Sequence, residues 1–192
     1  MSSLVQFIPD LLSAEQCAEF VELSEQHGFI KQRFGVSIPP EIRYRVAIDD
    51  PSSSDVLWDL LEPRLLSWAG YFDDALREQM DVHADDYFPF GLNDRLRFYK
   101  YHEEERFAPH FDIPFEKSEC ERSLLSVVIY LNDDFTGGET VFDAFQAQPK
   151  TGAAIVFAHE LIHEGCPVND GVKRVLRTDV MGRLQSLGGV NV

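Results

Sequence analysis

The stretch that decides the fold is Ser123–Leu131, which reads Ser-Leu-Leu-Ser-Val-Val-Ile-Tyr-Leu. Apolar runs of this length that contain β-branched residues are typical of strands buried on both faces of a sheet. The turn-rich segment Asn132–Gly138 follows directly. We therefore expect a chain built around this buried strand, with a loop where the strand leaves the core.

Other short, β-like segments surround this strand, most of them in the second half of the chain. They are rich in β-branched or aromatic residues and are separated by turn residues. The predicted strands are Arg43–Ile48, Arg95–Tyr101, Phe107–Asp112, Thr140–Phe142, Ala153–Ala158 and Val172–Met181. Together with Ser123–Leu131 they predict about six to eight strands in a sandwich or barrel.

Two helices are predicted ahead of most of these strands. The first begins at Ser13, which forms a Ser-x-x-Gln capping box with Gln16, and it ends at Gly28. The second is capped by residues 52–55, and Pro63 inside it predicts a kink or a restart. Its apolar stripe consists of Leu57, Leu61, Leu65, Trp68, Phe72 and Leu76. This order of elements favours helices that pack outside a β-core.

Composition limits the classes of partner. The chain has 192 residues, 44% of them apolar, which suits one domain with its own core. Its 17 basic and 33 acidic residues give a formal net charge of −16, which opposes nucleic acids and anionic membranes as partners. No apolar run is long enough to span a membrane, and the first residues do not resemble a signal peptide. Three scattered cysteines without a CxxC pair favour a reducing, cytoplasmic location.

The histidines contain the first chemical signal. His110 and Asp112 form a His-x-Asp pair on a predicted strand, and His163 follows several strands later. Residues two apart on a strand share a face, so this imidazole and this carboxylate point into the same space. Two histidines and one carboxylate can hold one face of an octahedral iron(II) and leave three positions open. The spacing alone is common, and it also fits ordinary polar residues near a surface.

Several further motifs occur in a recognisable order. They are Pro-His-x-Asp at 109–112, Tyr-Leu-Asn at 130–132, Gly-Gly-Glu-Thr-x-Phe at 137–142, Pro-Lys-x-Gly-x-Ala at 149–154 and His-x-Gly-Cys-Pro-Val-x2-Gly-x-Lys at 163–173. The C-terminal half thereby resembles the 2-oxoglutarate- and iron(II)-dependent oxygenases, most closely the prolyl 4-hydroxylase-like branch. The resemblance implies a mainly β fold with flanking helices (α+β), whose core is a double-stranded β-helix, or jelly roll.

This resemblance also implies a division of the single domain 1–192. Residues 1–91 would form a helical and mixed part that packs on the core, residues 92–183 the oxygenase core, and residues 184–192 a C-terminal tail. His110, Asp112 and His163 match the iron ligands of the family. No catalytic residue beyond these metal ligands is required.

The co-substrate site is implied in the same way. Lys173 matches the basic residue that binds the distal carboxylate of 2-oxoglutarate, and Tyr101 matches a tyrosine that helps to hold it. A buried dicarboxylate needs a buried cation. Arg177 shares a strand face with Lys173 and is the second candidate, since an arginine can clamp a carboxylate with two hydrogen bonds.

The implied enzyme is a dioxygenase that uses Fe(II), 2-oxoglutarate and O2 to hydroxylate a C–H bond, with ascorbate as a candidate accessory reductant. A prolyl residue of a protein or peptide is one candidate substrate, and a small molecule is another. Two other functions fit parts of the pattern. Zinc hydrolases also use His and Asp ligands, and a jelly-roll binding module that has lost catalysis would need neither iron nor co-substrate.

A few residues carry separate expectations. The acidic loop Glu103–Glu105 replaces a glycine turn of the family just before Phe107 and favours a positively charged substrate, although a solvated loop is the simpler interpretation. His159 stands in a predicted loop four residues before His163, and we expect it at the surface. Cys166 is expected to be a packed thiol, and residues 137–138 to form a tight turn with positive φ.

Overall fold

The computed structural model describes residues 5–34, 41–66 and 87–184. Over these residues the chain is mainly β, with the helices α1 (Ala14–His27) and α2 (Pro51–Leu66). The first strands are β1 (Val5–Ile8), β2 (Ile30–Phe34), β3 (Glu41–Asp49), β4 (Tyr87–Leu92), β5 (Arg95–Tyr101), β6 (Phe107–His110) and β7 (Glu116–Ser118). The others are β8 (Glu121–Tyr130), β9 (Thr136–Gly137), β10 (Thr140–Phe142), β11 (Phe145–Ala147), β12 (Ala154–Ala158), β13 (His163–Gly165), β14 (Val168–Asp170) and β15 (Lys173–Leu184).

These strands form a major sheet, a minor sheet and a two-stranded ribbon. The major sheet has the order β1-β12-β8-β15-β5-β3-β2, and β4 and β7 also pair with β15 and β8. The minor sheet has the order β11-β10-β13-β6, and β9 pairs with β14. Neighbouring strands in the major and minor sheets run antiparallel, which confirms the predicted mainly β, jelly-roll-like fold.

Strand alternation gives the major sheet two different faces. On its outer face Phe98, Val127 and Leu176 are buried against the helices, together with Leu57 and Leu61 of α2. On its inner face most of the alternate positions of β5, β8 and β15 carry polar side chains. These inner-face residues are Tyr99, Tyr101, Ser126, Tyr130, Lys173, Arg177 and Asp179. The largest apolar cluster therefore lies between the sheet and the helices, whereas the other side of the sheet combines polar groups with two smaller apolar clusters.

The predicted helices are present with adjusted ends. The capping box of Ser13 and Gln16 is formed, and Gly28 ends α1. Helix α2 begins earlier than predicted, because Asp50 accepts hydrogen bonds from the N–H and hydroxyl groups of Ser53. It continues through Pro63 to Leu66 without a restart, since its leucines are buried against the sheet and compensate for the missing backbone bond.

Strand limits also differ from the expectation in places. β5 and β10 have the predicted bounds, but β6 ends at His110, so Asp112 lies beyond the strand. Residues 5–8, 30–34 and 87–92 form strands that the sequence pattern did not single out. Trp68, Phe72 and Leu76 of the predicted helix stripe lie outside the described residues. The division of the chain at residue 91 stays a prediction, although β2 and β3 extend the same major sheet as β5.

Neither described helix is long and apolar enough to cross a bilayer. Cys17, Cys120 and Cys166 are all free thiols.

Candidate metal centre

Three metal-ligating side chains converge between β6 and β13. His110 ends β6 and His163 begins β13, and the two residues face each other in the antiparallel register. Asp112 follows β6, where its backbone N–H donates to the carbonyl oxygen of His159 over 2.8 Å. One ligand atom of each of the three residues lies within 4.8 Å of the others. Asp112 lies beyond the end of β6, so its carboxylate is placed by this contact with the His159 backbone and not by the alternation of side chains along a strand.

Both imidazoles are oriented by the same local contact. Nδ1 of His110 donates to the carbonyl oxygen of Ala108 over 2.8 Å, and Nδ1 of His163 donates to that of Leu161 over 2.9 Å. A carbonyl oxygen only accepts, so each Nδ1 carries the hydrogen and each Nε2 presents a lone pair. The two Nε2 atoms lie 3.7 and 3.9 Å from the nearer oxygens of Asp112.

Burial and neighbouring polar groups together keep these side chains in the protonation states that a metal needs. Burial lowers the pKa of His110 to about 4, and it also lowers the pKa of His163. Burial alone would raise the pKa of Asp112, but the Arg177 guanidinium, His163 and the Ser126 hydroxyl hold it below its ordinary value. Two neutral imidazoles and one carboxylate at neutral pH are a donor set that fits iron(II).

A cavity extends from these ligands along the inner face of the major sheet. Phe107, Tyr99, Val128 and Val175 contribute to its walls, and Lys173 lies in it, 96% buried. The Lys173 ammonium donates to the carbonyl oxygen of Gly138 over 2.6 Å. Its Nζ atom also lies 5.7 and 5.5 Å from the ring centroids of Tyr101 and Tyr130.

Lys173 forms no close ion pair within the described part of the chain, and the Glu139 carboxylate acts on its charge only from a greater distance. No carboxylate there lies within 4.0 Å of its Nζ atom, and burial lowers its pKa to about 8. A buried cation beside a metal site is where a dianionic co-substrate would be stabilised. The observed side chains therefore fit 2-oxoglutarate as well as iron(II).

The second candidate anchor, Arg177, is placed differently. Its Nη2 lies 2.9 Å from Oδ2 of Asp112 and 3.5 Å from Oδ1 of Asp179. Asp179 is buried and also pairs with Arg97 over 2.8 Å. Arg177 thus lines the same cavity as Lys173, but its charge is already compensated by two carboxylates.

His159 is fully buried, so the expectation of a surface residue is wrong. Its ring nitrogens contact the hydroxyls of Ser126, over 2.8 Å, and Ser123, over 2.9 Å. Burial lowers the pKa of His159 to about 4, which keeps the ring neutral. Both serines interrupt an otherwise apolar strand, and that interruption was the available signal for this buried polar cluster.

The remaining expectations concern residues at the edge of the cavity. Gly137 and Gly138 have φ of 73° and 69°, which confirms the predicted turn. Cys166 is half-buried with a raised pKa caused by burial, as expected for a packed thiol. In the acidic loop, the Glu105 carboxylate accepts the backbone N–H of His102 over 2.7 Å, and Glu104 adopts a φ of 65°. That carboxylate therefore stabilises the loop itself.

Comparison with known proteins gives a consistent result. Residues 96–178 match the sequence model of the 2OG-Fe(II) oxygenase superfamily. No curated protein sequence is similar enough to match.

Solved structures share the fold over nearly the whole chain. The viral collagen prolyl hydroxylase of Paramecium Bursaria Chlorella virus-1 is similar with a TM-score of 0.61 and 17% identity, over 94% of this chain and 97% of that one. A Pseudomonas putida prolyl-4-hydroxylase has a TM-score of 0.56 and 16% identity, over 95% and 93% of the two chains. A Trichoplax adhaerens prolyl hydroxylase has a TM-score of 0.61 and 14% identity, over 93% and 84%. At these identities the likeness shows the fold.

Proposed function

We propose that this chain, whose residues 96–178 form a domain of the 2OG-Fe(II) oxygenase superfamily, hydroxylates a prolyl residue of a protein or peptide. As an enzyme of this kind it uses Fe(II), 2-oxoglutarate and O2. The observation that carries the proposal is the His110, Asp112 and His163 cluster in one cavity with the buried Lys173, which has no close ion pair among the described residues. The prolyl hydroxylases among the structural relatives support the choice of substrate.

The surface beside the cluster supports a peptide over a small metabolite. Three large apolar side chains adjacent in sequence to the metal ligands are exposed: Phe111 by 61%, Ile113 by 79% and Ile162 by 66%. Exposed apolar groups concentrated at a site commonly mark a surface that a partner covers. A peptide that extends beyond the cavity would be able to cover them, whereas a small molecule held inside the cavity would not.

Each residue of the site has a defined task in this reaction. The Nε2 atoms of the two histidines and the Asp112 carboxylate would hold one face of the metal. When bound, iron(II) and 2-oxoglutarate supply the oxidation, in which O2 converts a C–H bond to C–OH and 2-oxoglutarate to succinate and carbon dioxide. Lys173, with Tyr101 beside it, would hold the distal carboxylate of 2-oxoglutarate. Phe107, Val128 and Val175 form apolar walls that exclude water.

The first test is anaerobic titration with iron(II) and then with 2-oxoglutarate. A visible charge-transfer band that requires both components is expected for the oxygenase. Bound zinc without this band would support a hydrolase instead, and a protein that binds neither metal would be a binding module.

The second test identifies the substrate. Proline-containing peptides are incubated with the iron-loaded protein, 2-oxoglutarate and O2, and the products are measured by mass spectrometry. A mass gain of one oxygen on proline, matched by succinate release, supports the proposal. Oxidation of a small metabolite but of no peptide would contradict it. The same assay with and without ascorbate tests the accessory reductant, which, like a cytoplasmic location, stays a prediction.

A further inference from the structure

A chain of hydrogen bonds runs from the backbone to Asp112 through residues that do not touch the metal. The Phe115 N–H donates to Ser123 Oγ over 2.8 Å, and Ser123 Oγ contacts His159 Nε2 over 2.9 Å. His159 Nδ1 then contacts Ser126 Oγ over 2.8 Å, and Ser126 Oγ contacts Asp112 Oδ2 over 2.5 Å.

The direction of every bond in this chain is determined. The hydroxyl of Ser126 donates its single hydrogen to Oδ2 of Asp112. Ser126 can then only accept from His159, which must carry its hydrogen on Nδ1. In the neutral ring Nε2 is therefore an acceptor, and it takes the hydroxyl hydrogen of Ser123, whose oxygen accepts the Phe115 N–H. All four donors point toward Asp112.

We propose that His159 is a positioning residue for the metal ligand Asp112. Through Ser126 it fixes Oδ2 as the hydrogen-bonded oxygen, so that Oδ1, 3.7 Å from His110 Nε2, remains directed at the metal. The backbone carbonyl of His159 holds the same residue by accepting the N–H of Asp112. One residue thus restrains both the main chain and the carboxylate rotation of this ligand. The proposal deepens the proposed function, on whose metal centre it rests.

Because the donor of each hydrogen bond is assigned, variants of His159 can be chosen that keep or remove the donor to Ser126. The side-chain amide of asparagine places an N–H near the position of Nδ1, whereas that of glutamine lies near Nε2. His159→Asn keeps the donor to Ser126, and His159→Gln and His159→Leu remove it. Loss of such supporting contacts weakens metal binding by about 10- to 100-fold. We expect that loss for Co(II) binding to the Gln and Leu variants, and near wild-type affinity for the Asn variant.

The experiment measures Co(II) binding by calorimetry and by the visible Co(II) spectrum, with no 2-oxoglutarate present. Ser126→Ala is combined with His159→Leu in a double-mutant cycle. The double variant should bind Co(II) no more weakly than Ser126→Ala alone, because both changes break the same contact. Thr178→Val is the matched control, since it removes a buried hydrogen bond of β15 to the Asn93 carbonyl on the opposite face of the sheet. It should lower the melting temperature and leave Co(II) affinity unchanged.

Several results would overturn the proposal. They are wild-type Co(II) affinity in folded His159→Leu, additive losses in the cycle, or an equal loss of affinity in Thr178→Val. Wild-type protein that binds Co(II) but oxidises no peptide would refute the proposed function. The double-mutant cycle would still test the positioning role, because it measures Co(II) affinity only. Wild-type protein that binds no Co(II) would refute the metal centre and the positioning role together.

A separate observation concerns arginines on the inner face of β3. Arg45 lies opposite Tyr99, which lines the cavity, so both side chains project from the same face of the sheet. Its guanidinium carbon is 5.8 Å from the Tyr99 ring centroid, and its buried Nε atom has no hydrogen-bond partner in the described structure. The neighbouring inner-face arginines, Arg97 and Arg177, form ion pairs with Asp179 and Asp112. Among the described residues, neither of these carboxylates pairs with Arg45.

Arg43 brings a second positive charge close to the metal ligands. Its guanidinium carbon is 3.3 Å from the ring centroid of Phe107, and the His110 ring stacks on Phe107 at 3.6 Å. Two groups this close to one centroid must occupy opposite faces of the ring. Phe107 therefore separates a guanidinium from a metal-ligating imidazole.

From this arrangement we infer that the substrate carries an anionic group, a carboxylate such as an Asp or Glu side chain, which binds at Arg45 beside the residue to be hydroxylated. This second inference also rests on the proposed function. It is the reverse of the substrate charge that the acidic loop suggests, and the same experiment separates the two.

Two sets of labelled proline peptides are compared, identical except for Glu or Lys at the flanking positions. Binding to protein loaded with Co(II) and 2-oxoglutarate is measured by fluorescence anisotropy. We expect the Glu peptides to bind about tenfold more tightly, which is the range of one charge-assisted hydrogen bond. Arg45→Met should abolish the preference. Arg95→Met removes the same charge from an exposed position paired with Asp49 and should retain it.

Tighter binding of the Lys peptides, equal or undetectable binding of the two sets, or an unchanged preference in Arg45→Met would refute the anionic group. Because binding is measured without turnover, failure of the proposed hydroxylation would be recognised separately in the mass-spectrometric assay.

Discussion

The two ends of the cavity differ in how completely their charges are compensated. At the metal end, Asp112 receives the Ser126 hydroxyl and the Arg177 guanidinium, and Arg177 also contacts Asp179. At the other end, Lys173 is also buried, but within the described residues it makes a single hydrogen bond, to a carbonyl oxygen. The metal end is therefore preorganised before any ligand arrives, whereas the Lys173 end is completed only by an anion. Changes at the two ends should separate metal binding from co-substrate binding.

The largest effect is expected at the metal end. Asp112→Ala removes the only carboxylate of the ligand cluster, so 2-oxoglutarate turnover should be abolished. The fold should survive, because Arg177 keeps Asp179 as a partner and the apolar core lies on the other face of the sheet. Succinate release and the circular dichroism spectrum are the measurements. Turnover comparable to wild type would refute the ligand assignment.

Lys173→Ala should affect the other end alone. Loss of a buried charge-assisted contact of about 1.5–3 kcal/mol corresponds to a rise of about one to two orders of magnitude in the KM for 2-oxoglutarate. Co(II) affinity should remain that of the wild type. Lys150→Ala, which removes an exposed lysine paired with Asp10, is the matched control. If Lys173→Ala is silent and Arg177→Ala raises the KM, Arg177 is the main anchor.

The pH dependence of 2-oxoglutarate binding tests the Lys173 end of the cavity separately from the metal end. Burial lowers the pKa of Lys173 to about 8, so in the free protein its amine is charged below that pH and neutral above it. The ammonium is the form that attracts the co-substrate. Affinity for 2-oxoglutarate should therefore be full below pH 8 and fall as the pH rises, by about tenfold per unit once the amine is mostly neutral.

Calorimetry in buffers of different ionisation enthalpy provides the measurement. It should show proton uptake on 2-oxoglutarate binding above pH 8 and little uptake at pH 7. Lys173→Arg keeps its charge throughout this range and should lack the dependence. An equally steep decline in that variant would assign the pH dependence to another group.

The smallest effect is expected outside the cavity. Glu103→Gln/Glu104→Gln/Glu105→Gln removes three charges, but exposed charges are individually weak and one of them only stabilises its own loop. Peptide turnover should change by less than about twofold even at low salt. A large loss at low salt that disappears at high salt would show that the loop attracts a cationic substrate, as the sequence alone suggests.

Elements that are determined by their own local sequence were predicted correctly, whereas elements that depend on pairing in the folded sheet were not. Local signals were accurate for the capping box of Ser13 and for β5 and β10. They did not identify strands such as β1 and β4, each of which pairs with one described strand only, whereas β5 lies between β15 and β3. Edge and early strands are selected by pairing and burial more than by their own propensity.

The same distinction applies to the site. Residue types and spacing indicated His110, Asp112 and His163, which the structure brings together. They did not indicate His159, because a histidine in a loop is buried only if distant hydroxyls satisfy both ring nitrogens, and those belong to another strand. They also gave no basis for ranking Lys173 against Arg177 by charge, since the carboxylate partners of Arg177 become neighbours only in the folded sheet.

The glycine at 138 gives the cavity a fixed depth. Its carbonyl holds the Lys173 ammonium, and a β-carbon added there would lie 2.9 Å from the Phe135 ring and 3.1 Å from Lys173 Cδ, at a φ of 69° that side chains rarely adopt. The ammonium is therefore held at a fixed position, and a bound dicarboxylic acid would have to reach from the metal ligands to this position. We expect oxo-dicarboxylic acids one methylene shorter or longer than 2-oxoglutarate to bind more weakly, because the ammonium is held at one fixed position in the cavity. Gly138 would thus influence which acid binds without contacting it. The expected difference in binding is about 10- to 200-fold per methylene.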